Sequence, residues 1–257
     1  MDTSLKKYVF NHADDICGIA TCGVSCGGGD LVTLNGNKRR VGDELMKKIF
    51  SYNVDTNKTA YMNWRTRQHE PIQSMNVIAD GYFQSAILLA EECIKDNYDK
   101  KADVLIFPIL FSVNHAIELY EKSICWSLNI LLGQQSTFKK NHDIRGIWYD
   151  TKKKIQEFGF GYGHEEVEFN KMIKNLEAYL DEVSEKMMND DVNKAYHNID
   201  FSRYPVNKKY EYHFYLQTYD NVVVDLENFI KVFEDISSCM DRLAGYYYGL
   251  VVESWQD

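Results

Sequence analysis

The stretch from Ala102 to Leu132 constrains the fold more than any other part of the sequence. It reads ADVLIFPILFSVNHAIELYEKSICWSLNILL, and its residues recur at alternating steps of three and four, which is typical of one stripe of an α-helix. The stripe consists of Leu110, Val113, Ile117, Tyr120, Ile124, Ser127 and Leu131. The segment 104–111 is apolar all round, so we expect that end to be buried on every side. The sequence therefore predicts the central helix of a bundle.

Four further amphipathic runs predict a protein that is mainly α-helical. They span about 71–95, 142–158, 164–188 and 219–254, and the last keeps an apolar stripe over its whole length. Only three prolines interrupt the chain. Its 257 residues are enough to bury a sizeable core. We predict a helical bundle over residues 70–257.

Residues 1–69 differ in composition from the rest and predict a small β-rich N-terminal appendage. The segment 31–41 has a hairpin pattern, in which Asn35-Gly36 suits a type I′ turn. A Cys3His zinc site is conceivable from the four residues His12, Cys17, Cys22 and Cys26. Their spacing is loose and contains no C-x-x-C knuckle, which favours packing of small residues, so we predict neither a metal nor a cofactor.

The segment 201–219, just before the last helix, is predicted to be a β-hairpin. Its second half alternates apolar and polar residues, and a turn at 207–209 would return the chain on its first half. A three-residue loop would place Arg203 directly opposite His213. A two-residue loop would place them on opposite faces, and the sequence leaves both registers open.

Composition excludes several classes of function. The formal net charge of −9 argues against a protein that coats nucleic acid non-specifically, because such binding needs a basic face. The sequence contains no Walker A, HExxH or GxSxG motif and no dinucleotide-binding GxGxxG motif after a strand. The N-terminus lacks a secretory apolar region, and no run approaches the ~18 apolar residues of a membrane span. We expect a cytoplasmic protein whose helix-borne cysteines are reduced core thiols.

Two segments, HAIELYEKSI at 115–124 and HDIRGIW at 142–148, resemble the HEPN superfamily. The resemblance covers roughly residues 70–190 and the last helix, and it implies a HEPN-like up-and-down helical bundle that forms a homodimer. Many HEPN proteins are metal-independent ribonucleases, often toxins or antiviral effectors. The resemblance thus implies an endoribonuclease of the toxin or antiphage-defence type, with RNA or a nucleotide as ligand and an antitoxin or defence protein as partner. The alternative is a catalytically silent HEPN-like module that binds nucleotide, RNA or a partner protein.

The resemblance also implies where catalytic residues would lie. The family's active site is an Arg-x(4–6)-His motif near the start of the last helix, in which histidine moves protons and arginine holds the phosphate. None of the seven arginines of this chain precedes a histidine at that spacing. Arg203 and His213 occupy the corresponding region and are the predicted catalytic pair. In the alternative reading, Arg203 stacks on Tyr204 and His213 faces solvent.

Two further groups are predicted to bind RNA phosphates. His142 and Arg145 lie one turn apart at a helix start, where an anion is favoured. The favoured interpretation of this pair is a cap and a packed histidine. Arg65, Arg67 and His69 precede the first long helix and could equally form a surface rim.

One face of the central helix carries three polar residues. His115, Glu118 and Lys122 share it, and buried charges persist only when they are paired. The favoured interpretation is a buried Glu–Lys pair with a satisfied histidine, and the alternative is the lining of a dimer cleft.

Overall fold

The computed structural model describes residues 47–68, 70–138, 140–159, 163–188, 199–207, 209–218 and 220–256, without the side chains of 163–165, 188 and 199. These residues are mainly α-helical, which confirms the predicted class. They form seven α-helices: α1, Pro71–Lys95; α2, Ala102–Leu131; α3, Ile144–Phe158; α4, Gly163–Met172; α5, Lys174–Met188; α6, Phe214–Gln217; and α7, Leu226–Ser254. Two compact units divide the chain, Met1–Met62 and Asn63–Asp257, and all seven helices belong to the second.

The first unit is described only over residues 47–62. This segment is largely exposed and holds one short 3-10 turn, Thr56–Lys58, whose N-cap Asp55 accepts a hydrogen bond from the N–H of Asn57. It contains no strand in the part that is described. The predicted hairpin at 31–41 and the four Cys and His residues of the zinc alternative lie outside the described residues.

Helix α2 lies at the centre of the second unit, as predicted. It packs against α1, α3 and α7, and α1 and α7 also pack against each other. The middle of its predicted stripe is buried: Val113, Ile117, Tyr120 and Ile124. Because α2 has neighbours on several sides, residues off the stripe are buried as well, and many of these are polar: Ser112, Asn114, Glu118, Glu121, Lys122, Ser123 and Asn129.

The N-terminal end of α2 departs from the prediction. Within the segment 104–111 only Ile109 is buried, whereas Val104 is 71 % exposed and Phe107 is 37 % exposed. The helix begins at Ala102 and continues through Pro108. Leu105, Ile106 and Leu110 pack against the core but are only partly buried, so apolar composition alone does not bury this end on every side.

Helix α2 also corrects the expectation that the chain holds no apolar run of membrane-spanning size. It is the one helix in the described ranges that is long and apolar enough to cross a bilayer, with a mean hydropathy of 1.5 over its best 18 residues. The core helix of a bundle meets the same criterion. Because α2 packs against α1, α3 and α7, its apolar composition is that of the central helix of a bundle.

Local sequence signals set the ends of α1 and α3. Pro71 occupies the first turn of α1, where its missing N–H costs nothing. Asp143 caps α3, and its Oδ1 accepts a hydrogen bond from the Gly146 N–H at 3.0 Å. A Cβ on Gly146 would lie 2.5 Å from the Asp143 carboxylate, so a larger residue there would force the capping side chain to shift. Gly159, at a φ of 97°, ends α3.

The later helices differ from the predicted boundaries. The segment 164–188, predicted as one helix, forms α4 and α5, which are separated at Ile173. The Ile173 N–H still donates a hydrogen bond to the Phe169 carbonyl, as it would in a continuous helix. Helix α7 begins at Leu226, capped by Asp225, whereas the prediction began at 219. Its stripe from Phe229 to Tyr247 is buried as expected.

The predicted hairpin at 201–219 is wrong, because the described part of this segment forms no strands. One isolated antiparallel bridge joins Val206 to Tyr212, and the residues after it form the short helix α6. The Asn207 side chain stabilises a five-residue connection by accepting hydrogen bonds from the N–H groups of Lys209 and Glu211. Phe214, read as a strand residue, instead packs on Phe201 with ring centroids 5.5 Å apart.

Candidate functional site: a carboxylate with two histidines

The carboxylate of Glu118 on α2 gathers three basic side chains around it. Glu118 is 2 % exposed. Its Oε1 lies 2.6 Å from Lys122 Nζ and 2.9 Å from His142 Nδ1, and its Oε2 lies 3.8 Å from His115 Nδ1. We call these four residues the Glu118 cluster.

Two elements build the Glu118 cluster. His115 and Lys122 lie three residues before and four residues after Glu118, so one face of α2 carries all three. His142 comes from the connection to α3, immediately before the cap residue Asp143. Because the cap fixes the start of α3, it also holds His142 over α2.

The electrostatics favour an ionised Glu118. Burial by itself would raise the pKa of this carboxyl, but the contacts with His115 and Lys122 and the charge of His142 outweigh burial and lower the pKa to about 2. The carboxylate therefore stays negative over the whole range in which histidines titrate.

A second buried carboxyl, Glu121, behaves in the opposite way. It is fully buried, and neither of its oxygens has a hydrogen-bond partner in the described part of the chain. Burial, together with the charges of Glu118 and Asp143, raises the pKa of Glu121 well above its ordinary value. One turn of α2 thus carries an ionised carboxylate beside a carboxyl that favours its protonated form.

Aromatic rings surround the histidine side of the cluster. The His115 ring stacks on Phe111 at 5.6 Å and meets Tyr82 edge-on at 4.7 Å. The guanidinium of Arg203 lies 5.5 Å from the Phe111 ring centre. On the other side, Lys122 Nζ lies 5.5 Å from the Phe138 ring centre. Two cations therefore rest on rings that border the cluster.

The structure does not place the predicted catalytic pair directly opposite each other. The His213 N–H donates to the Pro205 carbonyl at 3.3 Å, so Pro205 faces His213. The reason is that five residues connect Val206 to Tyr212, whereas a loop of two or three residues was predicted. His213 is only 8 % exposed, which contradicts the solvent-facing alternative. Arg203 stacks on Tyr204, as that alternative has it, and also on Phe111.

The second predicted pair separates into two roles. His142 has a side chain 60 % exposed and is held by Glu118. Arg145 instead links α3 to α5, because its Nη2 donates to Asp181 at 2.8 Å and its Nη1 donates to Ser184 at 3.2 Å. The structure therefore brings His142, but not Arg145, into the cluster.

The arginines before α1 lie on the surface. Arg65 is exposed, and Arg67 forms an ion pair with Glu70 at 3.6 Å. His69 is outside the described residues. This placement agrees with a surface rim and leaves the predicted phosphate contact as a prediction.

Sequence analysis pointed to all four residues of the Glu118 cluster but did not predict that they lie together. It placed His115, Glu118 and Lys122 on one face and treated His142 separately, because no sequence rule brings a loop residue to a particular helix turn. It missed Glu121 altogether. The signal was present, since a glutamate next to a buried stripe in the middle of an apolar helix requires either a partner or a proton.

The geometry suits proton transfer. An imidazole that donates its Nδ1–H to a carboxylate is fixed in one tautomer, with Nε2 left as an acceptor for an incoming proton. The carboxylate also stabilises the imidazolium that forms, which is the role of the acidic member of a catalytic triad. Within the described ranges no group of three or more His, Cys, Asp or Glu residues is arranged to hold a metal ion. Comparison with protein-family models, curated proteins and solved structures finds no match to this chain.

Proposed function

We propose that this chain is a HEPN-like endoribonuclease that cleaves RNA without a metal ion, as a cytoplasmic homodimer of the toxin or antiphage-defence type. The setting and the dimer follow from the resemblance of 115–124 and 142–148 to HEPN proteins. The observation that carries the chemistry is the pair of histidines directed at one buried carboxylate. Metal-independent RNA cleavage needs two proton-transfer groups and a positive charge near the phosphate.

In the proposed reaction His142 is the general base. With Nδ1–H held by Glu118, its Nε2 removes the proton of a ribose 2′-hydroxyl, and the 2′-oxygen attacks the adjacent phosphorus. The bond from phosphorus to the 5′-oxygen breaks, which leaves a 2′,3′-cyclic phosphate. Protonated His115 supplies the proton for the departing 5′-oxygen. This step returns His115 to neutrality and leaves His142 protonated.

Arg203 is the proposed phosphate contact. Its guanidinium lies over the Phe111 ring, and Phe111 stacks on His115. The positive charge of Arg203 is therefore one ring away from the proposed general acid. Its Nη1 forms an ion pair with Asp200 at 3.8 Å, and the side chain is 42 % exposed, so its other N–H groups remain accessible to a phosphate oxygen. This keeps Arg203 in the role that the sequence predicted and assigns proton transfer to the Glu118 cluster rather than to His213.

The test is cleavage of a labelled RNA in the presence of EDTA. The variants His142→Gln and His115→Gln remove one imidazole each and should lower the cleavage rate by roughly 10²- to 10⁴-fold. His213→Gln is the matched control, because it removes an imidazole that lies outside the cluster. Loss of activity in His213→Gln with full activity in His142→Gln would move catalysis back to the 203–213 segment.

The alternative function is a silent module that binds nucleotide, RNA or a partner protein. It is favoured if the wild-type chain retains RNA without cutting it, with or without divalent metal ions. In that case neither the wild-type chain nor His142→Gln should form a cleavage product, and an Arg203→Ala variant should still weaken RNA binding.

A further inference from the structure

A cavity lies near the Glu118 cluster, at the C-terminal end of α2. It has a volume of about 510 Å³ and opens between the C-terminal part of α2, the connection that follows it, and one face of α3. That volume is within the range of small-molecule sites. Its lining includes Asn129 from α2, Gln134 and Phe138 from the connection, and Lys153 and Lys154 from α3.

The lining offers hydrogen-bond acceptors. Asn129 is 8 % exposed, and its Nδ2 donates to the Thr137 carbonyl, while its Oδ1 has no hydrogen-bond partner in the described part of the chain. A buried acceptor without a donor is costly, so a ligand that brings an N–H group is favoured here. The carboxylates of Asp150 and Glu157 add further acceptors.

The same cavity carries a ring and two cations. Phe138 is half-buried and offers an apolar surface for a flat ligand. Lys153 is exposed, and Lys154 Nζ is held by the Gln134 Oε1 at 2.5 Å. The cavity thus offers three kinds of contact for one nucleotide: acceptors for the base edge, an aromatic ring for the base face, and lysines for the phosphate.

Phe138 connects this cavity to the Glu118 cluster. It lines the cavity and also lies 5.5 Å from Lys122 Nζ, which itself contacts Glu118. We propose that the cavity binds one nucleotide of the RNA substrate, with a preference for bases that bear an exocyclic amino group, next to the phosphodiester handled by the Glu118 cluster. This inference rests on the proposed function, since it assigns the neighbouring nucleotide of the same substrate.

The experiment titrates the full chain with each of the four ribonucleoside 5′-monophosphates and follows tryptophan fluorescence. Trp126 is a built-in reporter, because its ring lies 5.4 Å from Phe138. We expect a saturable change with AMP, CMP and GMP that is weaker with UMP, because the one N–H of uracil lies between two carbonyl oxygens, which the acceptors of the cavity would repel. The change should disappear in Trp126→Phe while calorimetry still detects binding.

Two variants test the contacts. Phe138→Leu keeps an apolar side chain without the aromatic face and should weaken nucleotide binding about tenfold. Lys153→Ala with Lys154→Ala should weaken binding of the monophosphate more than binding of the free nucleoside. The matched control, Lys171→Ala with Lys174→Ala, removes the same charge from exposed positions that do not line the cavity and should leave the affinity unchanged.

The outcomes separate the cavity from the reaction. RNA cleavage by a chain that binds no mononucleotide, or that binds it equally well in Phe138→Leu, overturns the nucleotide site and leaves the proposed function standing. Nucleotide binding that depends on Phe138 in a chain that does not cleave RNA supports the site and overturns the ribonuclease. Equal affinity for UMP and the other three overturns the base preference.

Discussion

The two ends of α2 differ in composition and in burial, and the more apolar end is the more exposed one. The N-terminal segment 104–111 is wholly apolar, yet Val104 and Phe107 are exposed. The segment 118–129 contains two glutamates and a lysine, yet all three are buried. Burial in a bundle is decided by which neighbours pack on a turn, so polar groups inside must be satisfied by partners or protons.

The largest loss of stability is expected when a buried charged residue of α2 loses its partner. Glu118→Ala leaves Lys122, which is 6 % exposed, as a buried cation without its partner. Breaking a buried ion pair from one side costs about 3–5 kcal/mol, so the free energy of unfolding should fall by that amount in urea denaturation. The control is Glu118→Leu with Lys122→Met, which removes both charges. If the double variant were as unstable as Glu118→Ala, an unpaired charge would not be the cause.

A second prediction compares the two ends directly. Ile117→Ala removes a fully buried side chain and should lower the free energy of unfolding by about 2–5 kcal/mol. Val104→Ala, at the exposed apolar end of the same helix, should change it by less than about 0.5 kcal/mol. Thermal or urea denaturation of both variants measures the difference. Similar losses would mean that the apolar end is covered, as a dimer or a membrane would cover it.

The third prediction concerns pH. Because the folded-state pKa of Glu121 is raised, its contribution to stability is fully present below the ordinary pKa of 4.5 and is lost as the pH rises toward the folded-state pKa. Glu121→Gln cannot ionise. Its stability relative to wild type should therefore increase above pH 4.5, by at most about 1.4 kcal/mol per pH unit.

The pH dependence of unfolding in both proteins is the measurement. Parallel profiles would show that Glu121 ionises normally in the folded state. Glu118 contributes the opposite trend, since its pKa is lowered to about 2, so its stabilisation is lost as the pH falls below 4.5.

A modest loss of stability is expected at the cap of α3. Asp143→Ala removes the acceptor of the Gly146 N–H and should cost about 1 kcal/mol of stability. Because the cap also holds the start of α3 beside His142, the variant should lower RNA cleavage more than this modest loss suggests. Asp143→Asn retains an acceptor and should restore both properties. Cleavage unaffected by Asp143→Ala would show that His142 does not depend on the cap.

Local signals were sufficient to predict several elements. The three-four spacing of α1 and α2 acts within a few residues, and the structure confirms both helices. Pro71 in the first turn of α1 and the Asp143 cap of α3 are equally local features. The segment 201–219 was misread because alternation alone does not supply a strand partner. The side chain of Asn207 and the packing of Phe214 on Phe201 decided its conformation instead.

The sequence by itself determined that the chain is helical, that α2 is central, and that one face of α2 carries His115, Glu118 and Lys122, because helical periodicity is a local property. Only the tertiary structure decided that His142 completes that group and that Arg203 rests over Phe111. It also decided that polar residues of α2 are buried while Val104 and Phe107 at the apolar end are exposed. These outcomes depend on contacts between residues far apart in the chain, and periodicity within one helix carries no information about them.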